Sequence, residues 1–199
     1  MTTLSISNIA WNTADDAEAA RILAALDVHH IDIAPGKYFP NPETASDTDI
    51  RAVRKIWQQR DFSLAGFQSL LFGTQGLNVF ASPDVQEKML THLTHICRIA
   101  AGLGVHRLVF GSPRNRDRKG LSDAQTEEMA QDFFTRLGNI AQIHDRGWGG
   151  RRAHRRPRHA ARHSPMRGER HGKIPARHGT VKYNMNICFG HTGFTYSKI

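Results

Sequence analysis

Four short apolar runs, at residues 4–9, 30–34, 62–68 and 105–110, alternate with four amphipathic stretches, and after residue 144 the alternation stops. In those stretches Ala19, Ile22, Leu23 and Leu26, then Ile50, Val53, Ile56 and Trp57, then Met89, Leu93, Ile96, Ala100 and Leu103, then Met129, Phe133, Leu137 and Ile140 recur at helical spacing. Such spacing gathers apolar side chains on one face of a helix. A strand–helix order repeated four times predicts parallel strands joined by right-handed crossovers. The joints carry matching signals. Asn12-Thr13, followed by Asp15, Asp16 and Glu18, predicts a first helix ending near Val28, because a capping side chain and early carboxylates suit the positive end of a helix. Pro35-Gly36 closes the second strand, and a polar loop leads to a helix over 47–60. Ser82-Pro83-Asp84 starts the third helix, and Ser122 to Gln125 has the capping-box spacing of a fourth, expected to end near His144.

A fifth strand is due within about 2–6 residues of that end. Residues 145–180 instead contain ten Arg and five His, and no Leu, Val, Phe or Tyr. Nothing there can supply a strand buried on both faces, and high charge with few apolar groups predicts disorder. Charge divides at the same point. Residues 1–144 hold 14 Lys and Arg against 16 Asp and Glu, and residues 145–199 hold 13 against 2, so the net charge of +9 belongs to the tail. One explanation is a basic tail that grips nucleic acid or another polyanion without sequence preference. The other, which we favour, is a change of reading frame in a GC-rich gene. Arg and Gly codons are mostly CGN and GGN; moved by one base, a run of them encodes Val, Ala, Gly, Asp and Glu, as a buried strand would need. Ten Arg to one Lys in this segment fits that origin better than a selected basic tail. From Tyr183 to Ile199 the composition shifts again, toward Asn, Phe, Tyr and Thr. The expectation is therefore an α/β domain over 1–144 and an unstructured, out-of-frame tail over 145–199.

A complete eight-unit β/α barrel needs about 250 residues and at least roughly 200; this chain has 199. A doubly wound sheet is the alternative architecture, but no glycine-rich nucleotide fingerprint follows the first strand. Cys97 and Cys188 show no framework spacing, which points away from a disulfide and toward a reducing compartment. The first residues lack a basic segment and a long apolar run, and no stretch approaches the roughly 20 apolar residues of a membrane span. A soluble, cytoplasmic protein is expected, with no membrane partner.

In β/α barrels the sites lie at the C-terminal ends of the strands. Here those ends read Asn8-Ile-Ala-Trp11, Asp32-Ile-Ala-Pro-Gly-Lys37, Gln68-Ser-Leu-Leu-Phe-Gly73 and Gly111-Ser-Pro-Arg114-Asn115-Arg116. The set resembles the first four units of the sugar phosphate isomerase/epimerase family, whose fold is the xylose-isomerase-like TIM barrel. The resemblance covers about residues 3–144. It implies a partial (β/α)8 barrel and a small-molecule sugar substrate. It also implies a divalent metal, Mn²⁺ or Mg²⁺, held by Glu, Asp and His of the later strands. In that chemistry two carboxylates move a proton beside a carbonyl while the metal polarises the oxygen. No position here matches those ligands, so the chain as it stands is expected to be a truncated and inactive relative. Endonuclease IV, which shares the barrel, needs histidines after strands three and four, where this chain has Gln68 and Gly111-Ser112.

The candidate substrate-binding residues are Asn8, Asp32, Lys37, Gln68, Arg114, Asn115 and Arg116. Asp32 either orients substrate from inside the barrel or bonds a backbone amide. Lys37, Arg114 and Arg116 either bind a phosphate or sugar acid or are solvated loop charges. Asn8 and Gln68 either bind hydroxyls or close strand ends. Trp11, Phe72 and Phe110 either line a sugar pocket or pack the core. His29, His30, His92 and His95 are read as structural or solvated. With only half a barrel, strands one and four are expected to be open edges through which two copies could associate. Nucleic-acid binding through the tail is the non-enzymatic alternative.

Overall fold

The strand–helix alternation becomes a parallel sheet with helices on one side. A computed structural model describes residues 4–110, 112–118, 120–149, 183–188 and 195–198. In chain order the elements are β1 (Ile6–Ser7), α1 (Asp16–Ala25), β2 (His30–Ile33), α2 (Asp47–Gln59), β3 (Ser63–Phe67), α3 (Pro83–Leu103), β4 (Arg107–Phe110), α4 (Asp123–Gly149), β5 (Tyr183–Cys188) and β6 (Thr195–Lys198). The sheet order is β1-β2-β3-β4-β5-β6, and β1 to β4 are parallel. Sequential order decides between the two architectures. Crossovers of one hand between successive neighbours put every helix on the same face, as in a barrel, whereas a doubly wound sheet must reverse its order.

Period-two alternation separates the two faces of the sheet. Ile31, Ile33, Phe67, Leu108 and Phe110 are buried in one cluster with Ile50, Val53 and Trp57 of α2, Leu93 and Ile96 of α3, and Phe133 and Leu137 of α4. Phe110, Phe133 and Phe134 pack edge to face, with ring centroids 5.4–6.4 Å apart. Asp32 and Arg107 lie on the opposite face. The register between β2 and β3 steps from Ile31↔Leu64 to Asp32↔Gly66, so Ala65 is a bulge that sets Gly66 beside Asp32.

Several boundaries differ from the sequence reading, each for a local reason. β1 is short because Ser7 Oγ accepts from the Ile9 amide at 3.1 Å and turns residues 8–10 into a 3-10 helix. Asn12 precedes a second 3-10 turn, so α1 begins at Asp16 and ends before Asp27, whose φ is +57°. Ile56, expected on the buried face of α2, is 39 % exposed. The capping boxes at Ser46/Asp49 and Ser122/Gln125 both form. α4 does not end near His144 but continues to Gly149. Extending an existing helix is far easier than nucleating one, so loss of the apolar stripe alone does not stop it.

Two segments of the tail are strands, where no ordered element was expected. β5 pairs antiparallel with β4 (Leu108↔Ile187, Phe110↔Met185), and β6 pairs antiparallel with β5. The sequence Tyr-Asn-Met-Asn-Ile-Cys of β5 alternates apolar and polar residues, as an antiparallel strand requires. The expected open edge at β4 is therefore paired, while β1 remains an end of the sheet. The Arg/His run over 150–182 lies outside the described residues. No described helix is long and apolar enough to cross a membrane.

Phe133 is fully buried. Replacing it by alanine should lower the unfolding free energy of the full chain by about 3–5 kcal/mol. Ile56→Ala should cost under about 1 kcal/mol. Urea denaturation of the two variants checks this, and equal losses would contradict the burial pattern described.

Candidate functional site

At the C-terminal ends of β1 and β2, polar side chains tie the chain to itself. Asn8 is buried, and its Oδ1 accepts from the Ala34 amide at 2.8 Å. Lys37 Nζ donates to the Asn8 carbonyl at 2.8 Å and to the Trp11 carbonyl. The buried Asp16 carboxylate accepts from Trp11 Nε1 at 2.8 Å and from the Tyr38 hydroxyl at 2.7 Å. Trp57 Nε1 donates in turn to Tyr38 Oη at 3.2 Å. Burial, then the hydrogen bond to Asp16, holds the Tyr38 hydroxyl well above the usual tyrosine range, so it stays a donor. Asp16 and Tyr38 were not singled out from the sequence. Asp16 reads there as an ordinary first-turn carboxylate, and only its burial reveals the network.

Asp32 sits lower in the sheet, on the face turned away from the helices. Its Oδ2 accepts from Ser5 Oγ at 2.8 Å, and Arg107 Nη2 lies 4.0 Å from Oδ1. Gly66 makes room for this pair: a Cβ there would lie 2.7 Å from Asp32 Oδ1 and 3.1 Å from the Arg107 carbonyl.

Gln68 stands at the end of β3. Its amide donates to the Ile33 carbonyl at 2.9 Å. Its side-chain Nε2 is buried and has no hydrogen-bond partner. The residue lines a depression of about 380 Å³ together with Ser69, Leu70, Phe72, Val109, Phe110 and Ser112. Asn8 Nδ2 is likewise buried without a hydrogen bond, but it borders Tyr38, so Gln68 is the clearer free donor.

The two loops bordering this depression are fastened to each other. Asn115 is buried, its Nδ2 donates to the Leu77 carbonyl at 2.6 Å, and its own carbonyl accepts from the Val79 amide at 2.9 Å. Asn78 Nδ2 donates to the Asp117 carbonyl at 2.8 Å, and Gln86 Nε2 to the Val79 carbonyl at 2.7 Å. Arg116 Nε donates to the Ser112 carbonyl at 3.2 Å, and burial lowers its pKa. Arg114 is exposed. Thus Gln68 and Ser112 border the depression, and Arg116 is bonded to the Ser112 carbonyl. Asn8 and Lys37 meet at the end of β1, and Asn115 joins the loops. Asn78 and Gln86 were missed in the sequence, where a lone amide in a polar loop or on a helix carries no signal.

The described residues do not fit the divalent metal that the resemblance implies. Asp32 already holds a hydroxyl and has a guanidinium beside it, which suits a satisfied ion pair rather than a hard cation. Among the described residues no group of three or more His, Cys, Asp or Glu is placed to hold a metal.

His92 fixes one wall of the depression, its Nε2 donating to the Leu70 carbonyl at 3.0 Å. Burial lowers the His92 pKa, and the charge of His95 lowers it further, while the Leu70 bond acts the other way. The unfolded chain therefore binds this proton more readily than the folded one. Stability should fall as pH drops from about 6.5 toward the folded pKa, and the slope should vanish below it. His92→Gln should flatten that part of the profile of melting temperature against pH. An unchanged slope in the variant would assign the dependence elsewhere, for example to His144, whose pKa burial also lowers.

No protein-family model matches the sequence, and no curated protein matches it. Solved structures do. A D-psicose 3-epimerase from Clostridium cellulolyticum H10 is matched at 15 % identity and a TM-score of 0.52, over 72 % of this chain and 50 % of that one. A candidate xylose isomerase from Rhodospirillum rubrum is matched at 14 % identity and a TM-score of 0.53, over 72 % and 51 %. A 3-keto-D-glucoside 4-epimerase from E. coli is matched at 14 % identity and a TM-score of 0.51, over 72 % and 53 %. The chain spans about half the length of the structures it matches. At these identities the likeness shows the fold alone, part of a TIM barrel.

Proposed function

We propose that this chain carries the sugar-binding side of an isomerase or epimerase site and, by itself, binds a sugar without converting it. The observation that carries the reading is the free Nε2 donor of Gln68, buried at a strand end beside a depression. An amide N–H left unpaired costs about 1–3 kcal/mol. A sugar hydroxyl or carbonyl oxygen is an acceptor of the right kind. Phe72 and Val109 offer apolar surface to the C–H faces of a ring, and the depression's volume falls in the range of small-molecule sites. The ties among Asn8, Lys37 and Ala34, and those from Asn115 to Leu77 and Val79, hold the surrounding loops in place before a ligand arrives.

Conversion of the sugar needs a group to move a proton beside the carbonyl. None of the described residues lining the depression is a carboxylate, and Asp32 is engaged with Ser5 and Arg107. The cation that the resemblance implies, Mn²⁺ or Mg²⁺, has no ligand set among the described residues. That is why the reading stops at binding. A soluble, cytoplasmic setting and self-association through the β1 edge belong to the same proposal.

D-fructose serves as the probe. Saturation-transfer NMR on the full chain should show weak binding. Gln68→Leu should reduce affinity about tenfold or more, the equivalent of about 1.4 kcal/mol, while leaving melting temperature unchanged or raised. With Mn²⁺ added, no ketose or aldose product should accumulate. Metal-dependent turnover would overturn the inactivity. Absence of transfer to any of several ketohexoses would overturn the binding.

A further inference from the structure

We propose that a second depression, between α3 and the loops at 40–43 and 72–74, is a binding site for a phosphate-sized oxyanion. It has a volume of about 270 Å³, and Lys88, Thr91, His92 and His95 line it from one side. Those four residues lie at i, i+3, i+4 and i+7 on α3, so one helical face presents them together. Leu70 and Phe72 border both depressions and separate this one from the sugar-binding end of the sheet.

The charges around it do not balance. Among the described residues Lys88 has no hydrogen bond and no ion pair. Burial lowers the His92 pKa, and His95 lies close enough for its charge to lower it further. On α4 the His144 pKa is lowered by burial and then by the charges of Arg98 and His95. Arg98 itself is engaged: it donates to the Ala45 carbonyl at 2.5 Å and to the Pro42 carbonyl at 3.3 Å, and pairs with Asp47 at 3.4 Å. It thereby fixes the loop that forms the opposite wall. Glu43 is the one carboxylate among the lining residues, and it is exposed. One exposed carboxylate shares the lining with a lysine and two imidazoles.

The chemistry of recognition follows from which donors remain free. The hydroxyls of Thr74 and Thr91 donate to the Leu71 and Glu87 carbonyls, at 2.8 and 2.9 Å. Their protons are therefore engaged, and the anion would meet charge rather than hydroxyl donors. His92 uses Nε2 on Leu70, which leaves Nδ1 to become a donor on protonation. A compact dianion, an inorganic phosphate or the phosphate of a small phosphomonoester, suits a site of this size whose positive charge grows as pH falls through the imidazole range.

Sulfate is the direct probe, because it remains a dianion across the pH range of interest, and inorganic phosphate is the second. Imidazole C–H resonances of the full chain would be followed by NMR at pH 7.5 and 6.0. His92→Gln and His95→Gln assign the signals and separate them from those of the tail. The expected result is a saturable shift of both resonances, with sulfate affinity rising roughly tenfold toward pH 6.0 as protons are taken up on binding. Lys88→Gln, on an exposed residue, should weaken binding several-fold, and Glu43→Gln should strengthen it. A phosphomonoester that binds more tightly than phosphate would identify the fuller ligand; equal affinity would identify the free ion. If sulfate moves neither resonance, or if Lys88→Gln leaves the affinity unchanged, the proposal is overturned.

Discussion

The structure depends on burying one face of a parallel sheet. Ile31, Ile33, Phe67, Leu108 and Phe110 recur at every second strand position and meet the stripes of α2, α3 and α4 in a single cluster. This contact fixes strand register, because a slip of one residue would turn Asp32 and Gly66 toward the helices and Ile33 and Phe67 away from them. It also fixes handedness. With all helices on one face, the other face curves inward and can carry polar groups at its C-terminal rim. The Ala65 bulge is where this regular pattern yields to a local need, the placement of the Asp32 carboxylate beside a glycine.

The polar groups divide by the atoms they engage. Asn8, Lys37, Asn115 and Gln86 all bond to the backbone, and so hold loops against strands. Asp16, Tyr38, Trp11 and Trp57 bond side chain to side chain, joining α1, α2 and the turn after β2. Neither group keeps a free donor directed at the depression between β3 and β4. The rim there is preorganised scaffold around one unsatisfied amide.

The four-unit alternation was legible because period two and period 3.6 are both strong in the first 144 residues. Ser122 announced its helix through a side chain that acts locally, whereas the equivalent box at Ser46 and Asp49 was not read from the sequence. What remained hidden was long-range. The partners of Asp16 come from positions 11 and 38, and those of Asn115 from positions 77 and 79. No local pattern encodes such pairings. Ile56 shows the limit from the other side: it has the spacing of a buried residue, but it lies at the margin of the α2 stripe where the neighbouring helices do not reach. The antiparallel pairing of β5 was missed for a different reason. A charged, apolar-poor run precedes it, and such a run argues against any continuing parallel unit while leaving open an edge strand of alternating pattern.

The placement of Gln68 bears on function more than its identity does. A leucine at that strand end would fill the same space without an unpaired N–H, and so would suit a purely structural role better. Lys37 makes the contrast clear: its charge is used within the fold, on two carbonyls, and it needs no ligand to explain it. Buried polar groups without partners are uncommon in folded proteins and call for a specific account. Beside an open depression with apolar walls, the account we propose is an acceptor brought by a ligand. Under the proposed reading the same geometry separates binding from turnover, since the described lining supplies hydrogen bonding and shape but no carboxylate to move a proton.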